Sequence, residues 1–173
     1  MEKKYKLTDE TINLGGKKLC RIKALKDFGD VKKGDKGGFI EDEHNLSHDG
    51  NSWVYDNAKV FDNASVYGNA MVYGNAMVCC DAKVCCDASV YGNAMVYGNA
   101  KIENNSDYIV FKNWWSSGRY FTWTRSNNMW KVGCFYGTGE ELIKKAYKDS
   151  EKSGREYERI VKYVEEIKKE NGK

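Results

Sequence analysis

A six-residue repeat that runs from Val54 to Asp107 is the strongest constraint on the fold. Its first position is aliphatic, its fourth is Asn or Asp, and its fifth is small, nearly always Ala. A period of six fits neither the 3.6-residue period of a helix nor the two-residue alternation of a single strand. Short fixed periods are typical of solenoids, in which each repeat packs on the next. The repeat therefore predicts a mainly β protein with a parallel β-helix over residues 54–107. The first positions are Val54, Val60, Val66, Val72, Val78, Val84, Val90, Val96 and Ile102.

An aliphatic residue followed four places later by a small one resembles the hexapeptide repeat of left-handed β-helices. The resemblance implies triangular coils of three short strands, with about 18 residues per coil. Residues 54–107 would then form about three coils. The left-handed winding is implied by the resemblance alone, because parallel crossovers are otherwise right-handed.

The second-position side chains are expected to point outward and to stack into ladders about 4.8 Å apart. An exposed ladder of aromatic rings forms an apolar patch, which usually marks an interface. We therefore expect self-association, as a homotrimer by resemblance. The alternative is that the chain's own terminal domain covers one face. The predicted interface residues are Tyr55, Tyr73, Tyr91 and Tyr97.

The segments on either side of the repeat predict two smaller units. Residues 1–53 contain two strand patterns around Gly15-Gly16 and are interpreted as an N-terminal β cap. Residues 108–173 are interpreted as a small C-terminal α+β domain, a three-stranded β-meander followed by two helices. A capping box at Thr138 predicts the start of the first helix, and Ser153 is the predicted start of the second.

Composition and charge limit the partners and the cellular compartment expected for the protein. The net charge of +3 falls far short of the dense basic stripe of a duplex nucleic-acid binder. No apolar run approaches the roughly 18–20 residues of a membrane span, and the N-terminus lacks the apolar segment of a signal peptide. These features predict a cytoplasmic protein, with neither duplex nucleic acid nor membrane among its partners.

The six cysteines are interpreted as reduced thiols rather than as a disulfide framework. Two adjacent pairs, Cys79-Cys80 and Cys85-Cys86, lack the spacing of a CxxC zinc motif. On a triangular coil the pairs would lie on successive faces, too far apart for one disulfide or one four-thiolate site. No metal or cofactor is therefore predicted, and a metal or redox site built across subunits stays open as the alternative.

Left-handed β-helices are best known from acyltransferases, which use a histidine as general base in a cleft between subunits. His44 and His48 both precede the predicted first coil, and no hexad carries an inserted loop that could cover a substrate. A non-enzymatic protein is therefore predicted, with an acyltransferase of this class as an alternative.

The C-terminal segment combines aromatic rings with cations, which can stack on a base and pair with a phosphate. In the strand pattern GRYFTWTRS, Arg119, Phe121, Trp123 and Arg125 share one face, and two arginines beside two rings favour a cleft. The alternative is an aromatic core for a small domain. The predicted ligand-binding residues are Trp114, Trp115, Arg119, Trp123, Arg125, Trp130, Lys131 and Tyr136.

The terminal segments, such as KLTDETINLGGKKLCRIKAL and FTWTRSNNMWKVGCFYG, resemble those of small proteins carried by phages and prophages of Gram-positive bacteria. That group implies no activity for any single residue, but phages do make small non-enzymatic proteins that sequester nucleotide signals of host defence. We therefore expect an oligomeric β-helix that binds a nucleotide-type ligand. A structural or protein-binding module that blocks a host factor is the second possibility.

Overall fold

A computed structural model describes residues 2–170 and begins with the predicted hairpin. Strands β1 (Tyr5–Leu14) and β2 (Lys17–Ala24) pair in antiparallel fashion around the Gly15-Gly16 turn. Strand β3 (Lys36–Ile40) pairs with β2 on one edge and, in parallel, with the Lys59–Val60 strand of the repeat on the other. The cap and the solenoid therefore share one continuous sheet.

The repeat folds into a parallel β-solenoid of two-residue strands. Each strand pairs with the strand three hexads further on, so that Val54 pairs with Val72 and Val72 with Val90. This spacing confirms the predicted coil of three hexads, whereas left-handed winding stays a prediction. The strands, β4 to β12, are Trp53–Val54, Lys59–Val60, Ser65–Val66, Met71–Val72, Met77–Val78, Lys83–Val84, Ser89–Val90, Met95–Val96 and Lys101–Ile102.

The solenoid has about four coils rather than three, because its first coil lies in the segment predicted as the cap. Ile40 pairs with Val60, and Leu46 forms a bridge to Val66. The repeat is hidden there because Leu46 and Val54 are eight residues apart instead of six. The boundary predicted at Val54 is therefore too late.

The burial and backbone angle at each hexad position explain which residue type the repeat places there. Every first-position Val or Ile and every fifth-position Ala is fully buried, so the core is a set of aliphatic columns lined by small residues at the corners. Burying one such Val contributes about 1.5–3 kcal/mol. The third position has a positive φ in every hexad except the last, from +51° at Asp56 to +70° at Gly68, which favours Gly and tolerates Asp or Asn.

Both open ends of the solenoid are covered. At the first coil, Tyr5, Ile22, Ala24 and Val31 of the cap join the aliphatic core. At the last coil, side chains of the C-terminal domain and of Asn105 in the last hexad accept from backbone N–H groups that have no further coil to pair with. Met95 N–H donates to Thr122 Oγ1 at 2.9 Å, Lys101 N–H to Ser126 Oγ at 2.7 Å, Ser89 N–H to Asn105 Oδ1 at 2.8 Å and Tyr91 N–H to Tyr108 Oη at 3.3 Å.

The C-terminal sheet has four strands where three were predicted. They are β13 (Tyr108–Lys112), β14 (Tyr120–Thr124), β15 (Met129–Val132) and β16 (Phe135–Gly137), in antiparallel order. The segment predicted as one strand, NNMWKVGCFYG, is a hairpin, because Gly133 turns the chain at a φ of +55°.

Two helices pack on this sheet. Helix α1 (Gly139–Asp149) begins at the predicted Thr138–Glu141 capping box. Helix α2 (Glu151–Glu170) begins before Ser153, so the predicted start is wrong; Ser150 Oγ accepts from the Ser153 N–H at 3.1 Å. Neither helix of residues 2–170 has the length and apolar character to cross a membrane.

Candidate ligand groove between the solenoid and the C-terminal domain

Three of the tryptophans predicted to bind a ligand lie in the domain core instead. Trp123, Trp130 and Trp115 are 0%, 1% and 8% exposed and pack with Phe121 against the two helices. Strand alternation had grouped Phe121 with Trp123, and the two helices cover that face, so that neither ring is exposed to solvent. For these rings the aromatic-core alternative is the observed one.

Three further predicted ligand residues hold the domain on the last coil. Arg125 Nε donates to the Ser106 carbonyl oxygen at 3.2 Å. Lys131 Nζ lies 4.3 Å from the centroid of the Tyr97 ring, a cation–π contact. Tyr136 Oη accepts from Asn127 Nδ2 at 3.2 Å and donates to the Tyr97 carbonyl oxygen at 3.5 Å.

Tyr97 was predicted to point outward at a subunit interface, and this is corrected by the structure. Its ring is half-buried under Lys131 and beside Cys79, where the N-terminal hairpin covers this side of the solenoid. Burial raises the pKa of the Tyr97 hydroxyl well above its usual range. The alternative, in which the chain's own terminal domain covers one face, therefore holds for the ladder that contains Tyr97.

Arg119 is the predicted ligand residue that does line a groove. Two cavities, of about 310 Å³ and 180 Å³, share Arg119, Tyr120 and Gly133 in their walls. The larger cavity opens between the C-terminal domain and the solenoid face that carries β8 and β11. Its solenoid wall consists of Asn75, Met77, Asn93 and Met95.

The loop that carries Arg119 is fixed to the core through Asn113. The Asn113 N–H donates to the Arg119 carbonyl oxygen at 2.8 Å, and the Asn113 carbonyl oxygen accepts from Gly118 N–H at 2.8 Å. The Asn113 side chain is buried and donates to Tyr157 Oη at 3.2 Å. The backbone of Arg119 is therefore held in place before any ligand binds.

The groove is electropositive and partly aromatic. The Arg119 guanidinium has no ion pair or hydrogen bond within residues 2–170, although its backbone N–H donates to Ser117 Oγ. Tyr120 is 41% exposed, and Lys112 Nζ lies 5.8 Å from its ring centroid. An unpaired guanidinium beside an accessible ring and amide groups can bind an anion joined to a planar ring system.

Sequence reasoning missed Met77 and Met95, and it left Tyr120 out of the predicted ligand-binding residues although that ring belongs to the same C-terminal cluster of aromatic rings and cations. Met77 and Met95 are three hexads apart and pair directly, so the coil period was the signal that could have placed them on one face. Nothing in the repeat indicates which face the C-terminal domain covers. Trp114 lies on the same loop as Arg119 but points away, 69% exposed, with its ring against the edge of Trp115.

The remaining residues named in the sequence analysis are three tyrosines predicted at the interface and two histidines. The Tyr55 and Tyr73 rings stack on each other and are half-buried, whereas Tyr91 is 56% exposed. The His48 ring stacks on Tyr5 at a centroid distance of 4.3 Å. His44 Nε2 lies 2.7 Å from the Asp62 carbonyl oxygen, so this histidine contacts the solenoid.

The family described as YdcK Beta solenoid repeat matches residues 64–79 and 88–103, both within the coils described above. The chain is a β-solenoid protein. A search of curated proteins gave no match. The family match agrees with the pairing of strands three hexads apart and carries no information about a ligand.

Proposed function

We propose that this protein is a non-enzymatic β-solenoid that binds a nucleotide-type signal molecule in the groove at Arg119 and Tyr120. The observation that carries the proposal is the unpaired Arg119 guanidinium at the junction of two cavities. A phosphate would pair with the guanidinium, and a base would lie against the Tyr120 ring and the Met77 and Met95 thioethers. The cavity of about 310 Å³ is at the small end of ligand sites and suits one nucleotide unit.

Binding is favoured over catalysis by the composition of the groove. Its lining side chains within residues 2–170 include no histidine, aspartate or glutamate, the usual general bases. The resemblance of the terminal segments supports a phage or prophage protein that sequesters a signal of host defence. Sequestration needs affinity and a rigid site, and the Asn113 contacts give the Arg119 loop that rigidity.

A thermal-shift and calorimetric screen against cyclic oligonucleotides, ADP-ribose derivatives and acetyl-CoA tests the proposal. A ligand present at 100 times its Kd stabilises the folded chain by about 2.7 kcal/mol, a shift of several degrees. Arg119→Ala should weaken binding by about 10- to 100-fold, because a hydrogen bond to a charged group is worth about 1.5–3 kcal/mol. Arg159→Ala, on the exposed face of α2, is the matched control and should bind as the wild type does.

Three results would contradict the proposal in different ways. A flat response to every compound would favour a protein partner. Equal binding by wild type and Arg119→Ala would place the ligand elsewhere. Recovery of a chemically altered ligand after denaturation would indicate an enzyme, and turnover of acetyl-CoA would indicate an acyltransferase.

The second candidate is a protein-binding module that blocks a host factor, favoured by the exposed Trp114. Tryptophan is enriched at binding hot spots, and an isolated exposed ring of this size is an anchor for a partner pocket. Under this function Trp114→Ala abolishes inhibition of the partner, whereas Arg119→Ala has little effect. The opposite pattern supports the nucleotide-binding proposal.

Self-association is part of the proposal, as a homotrimer by resemblance, through the solenoid face that carries Tyr55, Tyr73 and Tyr91. Of these, Tyr91 offers the most accessible ring. Light scattering coupled to size exclusion should give three times the chain mass for the wild type and the mass of a single chain for Tyr91→Asp. A monomeric wild type would contradict this assembly without affecting the groove.

A further inference from the structure

Cys79 and Cys80 meet a carboxylate from the neighbouring coil. Their Sγ atoms are 3.5 Å apart, and both lie within 4.8 Å of a carboxylate oxygen of Asp62. Asp62 precedes Cys80 by three hexads and occupies the same third position of its hexad. The coil period therefore brings two thiols and one carboxylate together within a single chain.

Cys85 and Cys86 repeat this arrangement on the next face. Their Sγ atoms are 3.7 Å apart, and Cys86 Sγ lies 3.9 Å from Glu103 Oε1. Glu103 follows Cys85 by three hexads, at the same second position. Cys79 and Cys85 stand at second positions, which were predicted to point outward, but both are buried under neighbouring side chains.

We propose that each cluster binds one thiophilic metal ion, with Zn²⁺ as the type case. Zn²⁺ takes Cys sulfur at about 2.3 Å in tetrahedral geometry, which requires the two sulfurs to be about 3.8 Å apart. The observed Sγ–Sγ distances of 3.5 Å and 3.7 Å match this sulfur–sulfur separation without movement of the chain. The carboxylate supplies the third ligand and water the fourth. Binding replaces the two S–H bonds by two metal–sulfur bonds and releases two protons to solvent.

The first cluster opens into a cavity of about 450 Å³ whose charge favours a cation. Its wall holds the carboxylates of Glu41, Asp42, Asp62 and Asp81 against one ammonium, that of Lys17. Lys17 Nζ lies 2.6 Å from Asp62 Oδ1, so an entering metal ion displaces this ion pair, and Glu41 remains a partner for Lys17 at 3.3 Å.

The backbone angles of Cys80 and Cys86 are a separate observation in favour of metal binding. Cys80 and Cys86 have φ angles of +62° and +60°, at the hexad position that holds Gly at residues 68, 74, 92 and 98. A non-glycine residue is disfavoured in this region because its Cβ lies too close to the following carbonyl oxygen. Strained backbone of this kind clusters at functional sites. Two thiols at two strained positions, each facing a carboxylate, fit metal binding better than neutral replacement of glycine.

The test uses the reduced full-length chain, titrated with Cd²⁺ and followed by the ultraviolet absorption of thiolate–cadmium bonds, with Zn²⁺ added as competitor. We expect two ions per chain for the wild type. Cys80→Gly and Cys86→Gly should each remove one, and the double variant both. These variants restore the residue of neighbouring hexads, so folding is retained while a thiol is lost. Asp62→Asn should weaken the first site by about tenfold or more, since even indirect partners of a metal change its affinity about 10- to 100-fold.

Cys134→Ser is the matched control, because Cys134 is an exposed thiol outside both clusters. It should leave the stoichiometry at two. The proposal is overturned if the wild type gives no thiolate absorption, if Cys80→Gly and Cys86→Gly keep two ions, or if Cys134→Ser loses one. Neither cluster shares a residue with the groove at Arg119, so failure here is independent of the proposed function.

Discussion

The ring of Tyr55 stacks on the ring of Tyr73, one coil further along, with centroids 4.5 Å apart and planes 12° from parallel. This separation is close to the spacing of adjacent strands in a sheet, so the parallel pairing itself sets the stack. Tyr91, the next member of the ladder, turns instead to the Tyr108 ring, with centroids 6.1 Å apart and planes at 73°. The ladder therefore has a stacked, half-buried part and an exposed end.

Tyr73→Ala should lower the free energy of unfolding by about 1–2 kcal/mol. The substitution removes half-buried apolar surface and a ring stack worth about 0.5–1.5 kcal/mol beyond that area. Chemical denaturation with urea measures the change. Tyr91→Ala is the control and should cost clearly less, because its ring is mostly in solvent. Equal losses for the two variants would show that the stack adds nothing.

Lys4 should make stability rise with pH in the mildly alkaline range. Burial lowers the pKa of Lys4 to about 8, and its Nζ donates to the Ser52 carbonyl oxygen at 2.7 Å. Between about pH 8 and pH 10.5 the unfolded chain keeps this proton and the folded chain does not, so the free energy of unfolding increases with pH. The destabilising effect of the buried charge is fully present below pH 8.

The difference in stability between wild type and Lys4→Met isolates this effect from the ionisation of other groups. That difference should shift in favour of the wild type between pH 7 and pH 9.5. Lys6→Met, at an exposed lysine two residues further along the chain, should show a constant difference. A constant difference for Lys4→Met as well would mean that Lys4 keeps its proton in the folded chain.

Repetition explains which parts of the fold the sequence predicts. The valine period requires a solenoid, and three hexads per coil fix which residues stack, so the ladder of Tyr55 and Tyr73 follows directly. The same rule aligns Asp62 with Cys80 and Cys85 with Glu103, and those clusters were thus within reach of the sequence. The first coil was hidden because the segment between Leu46 and Val54 departs from the period.

The candidate groove was less predictable because it depends on how two units pack. Alternation along β14 correctly groups Phe121 with Trp123 but does not say what covers that face, and the helices cover it. Arg119 remains available because it precedes the strand and lies on the loop fixed by Asn113. The pairing of that loop with Met77 and Met95 is a tertiary contact that no local pattern encodes.

Ser150→Ala should lower the free energy of unfolding by about 1 kcal/mol, as expected for the loss of a helix cap. Ser150 Oγ accepts from the Ser153 N–H at 3.1 Å, although the sequence pattern had favoured Ser153 as the cap. Ser153 instead accepts from Trp115 Nε1 through its own hydroxyl at 3.3 Å. Because this bond fixes the edge of the aromatic core, Ser153→Ala should change the Trp115 fluorescence, whereas Ser150→Ala should not. Thermal unfolding with fluorescence detection measures both effects. If Ser153→Ala instead caused the loss of stability and Ser150→Ala did not, the cap predicted from the sequence at Ser153 would be supported.

The backbone at the third hexad position is strained for any residue with a Cβ. Adding a Cβ there should therefore lower the free energy of unfolding, and removing one should raise it. Gly92 has a φ of +68° and open space where the Cβ of an alanine would lie, so Gly92→Ala tests the backbone alone and should destabilise by about 1–2 kcal/mol. Cys86 has a φ of +60° and an exposed side chain, so Cys86→Gly should stabilise the metal-free chain by about 1 kcal/mol.

A change of 1 kcal/mol corresponds to about 2–4 °C in Tm for a chain of this size, which calorimetry in the presence of a chelator resolves. In saturating Zn²⁺ the order of wild type and Cys86→Gly should reverse, because the wild type gains stability from both metal sites and Cys86→Gly from only one. If Cys86→Gly is destabilising without metal, the thiol contributes packing that outweighs the strain, and the backbone argument for the second cluster is wrong. If Gly92→Ala is neutral, the corner accepts a Cβ without strain and the cysteines need no functional explanation.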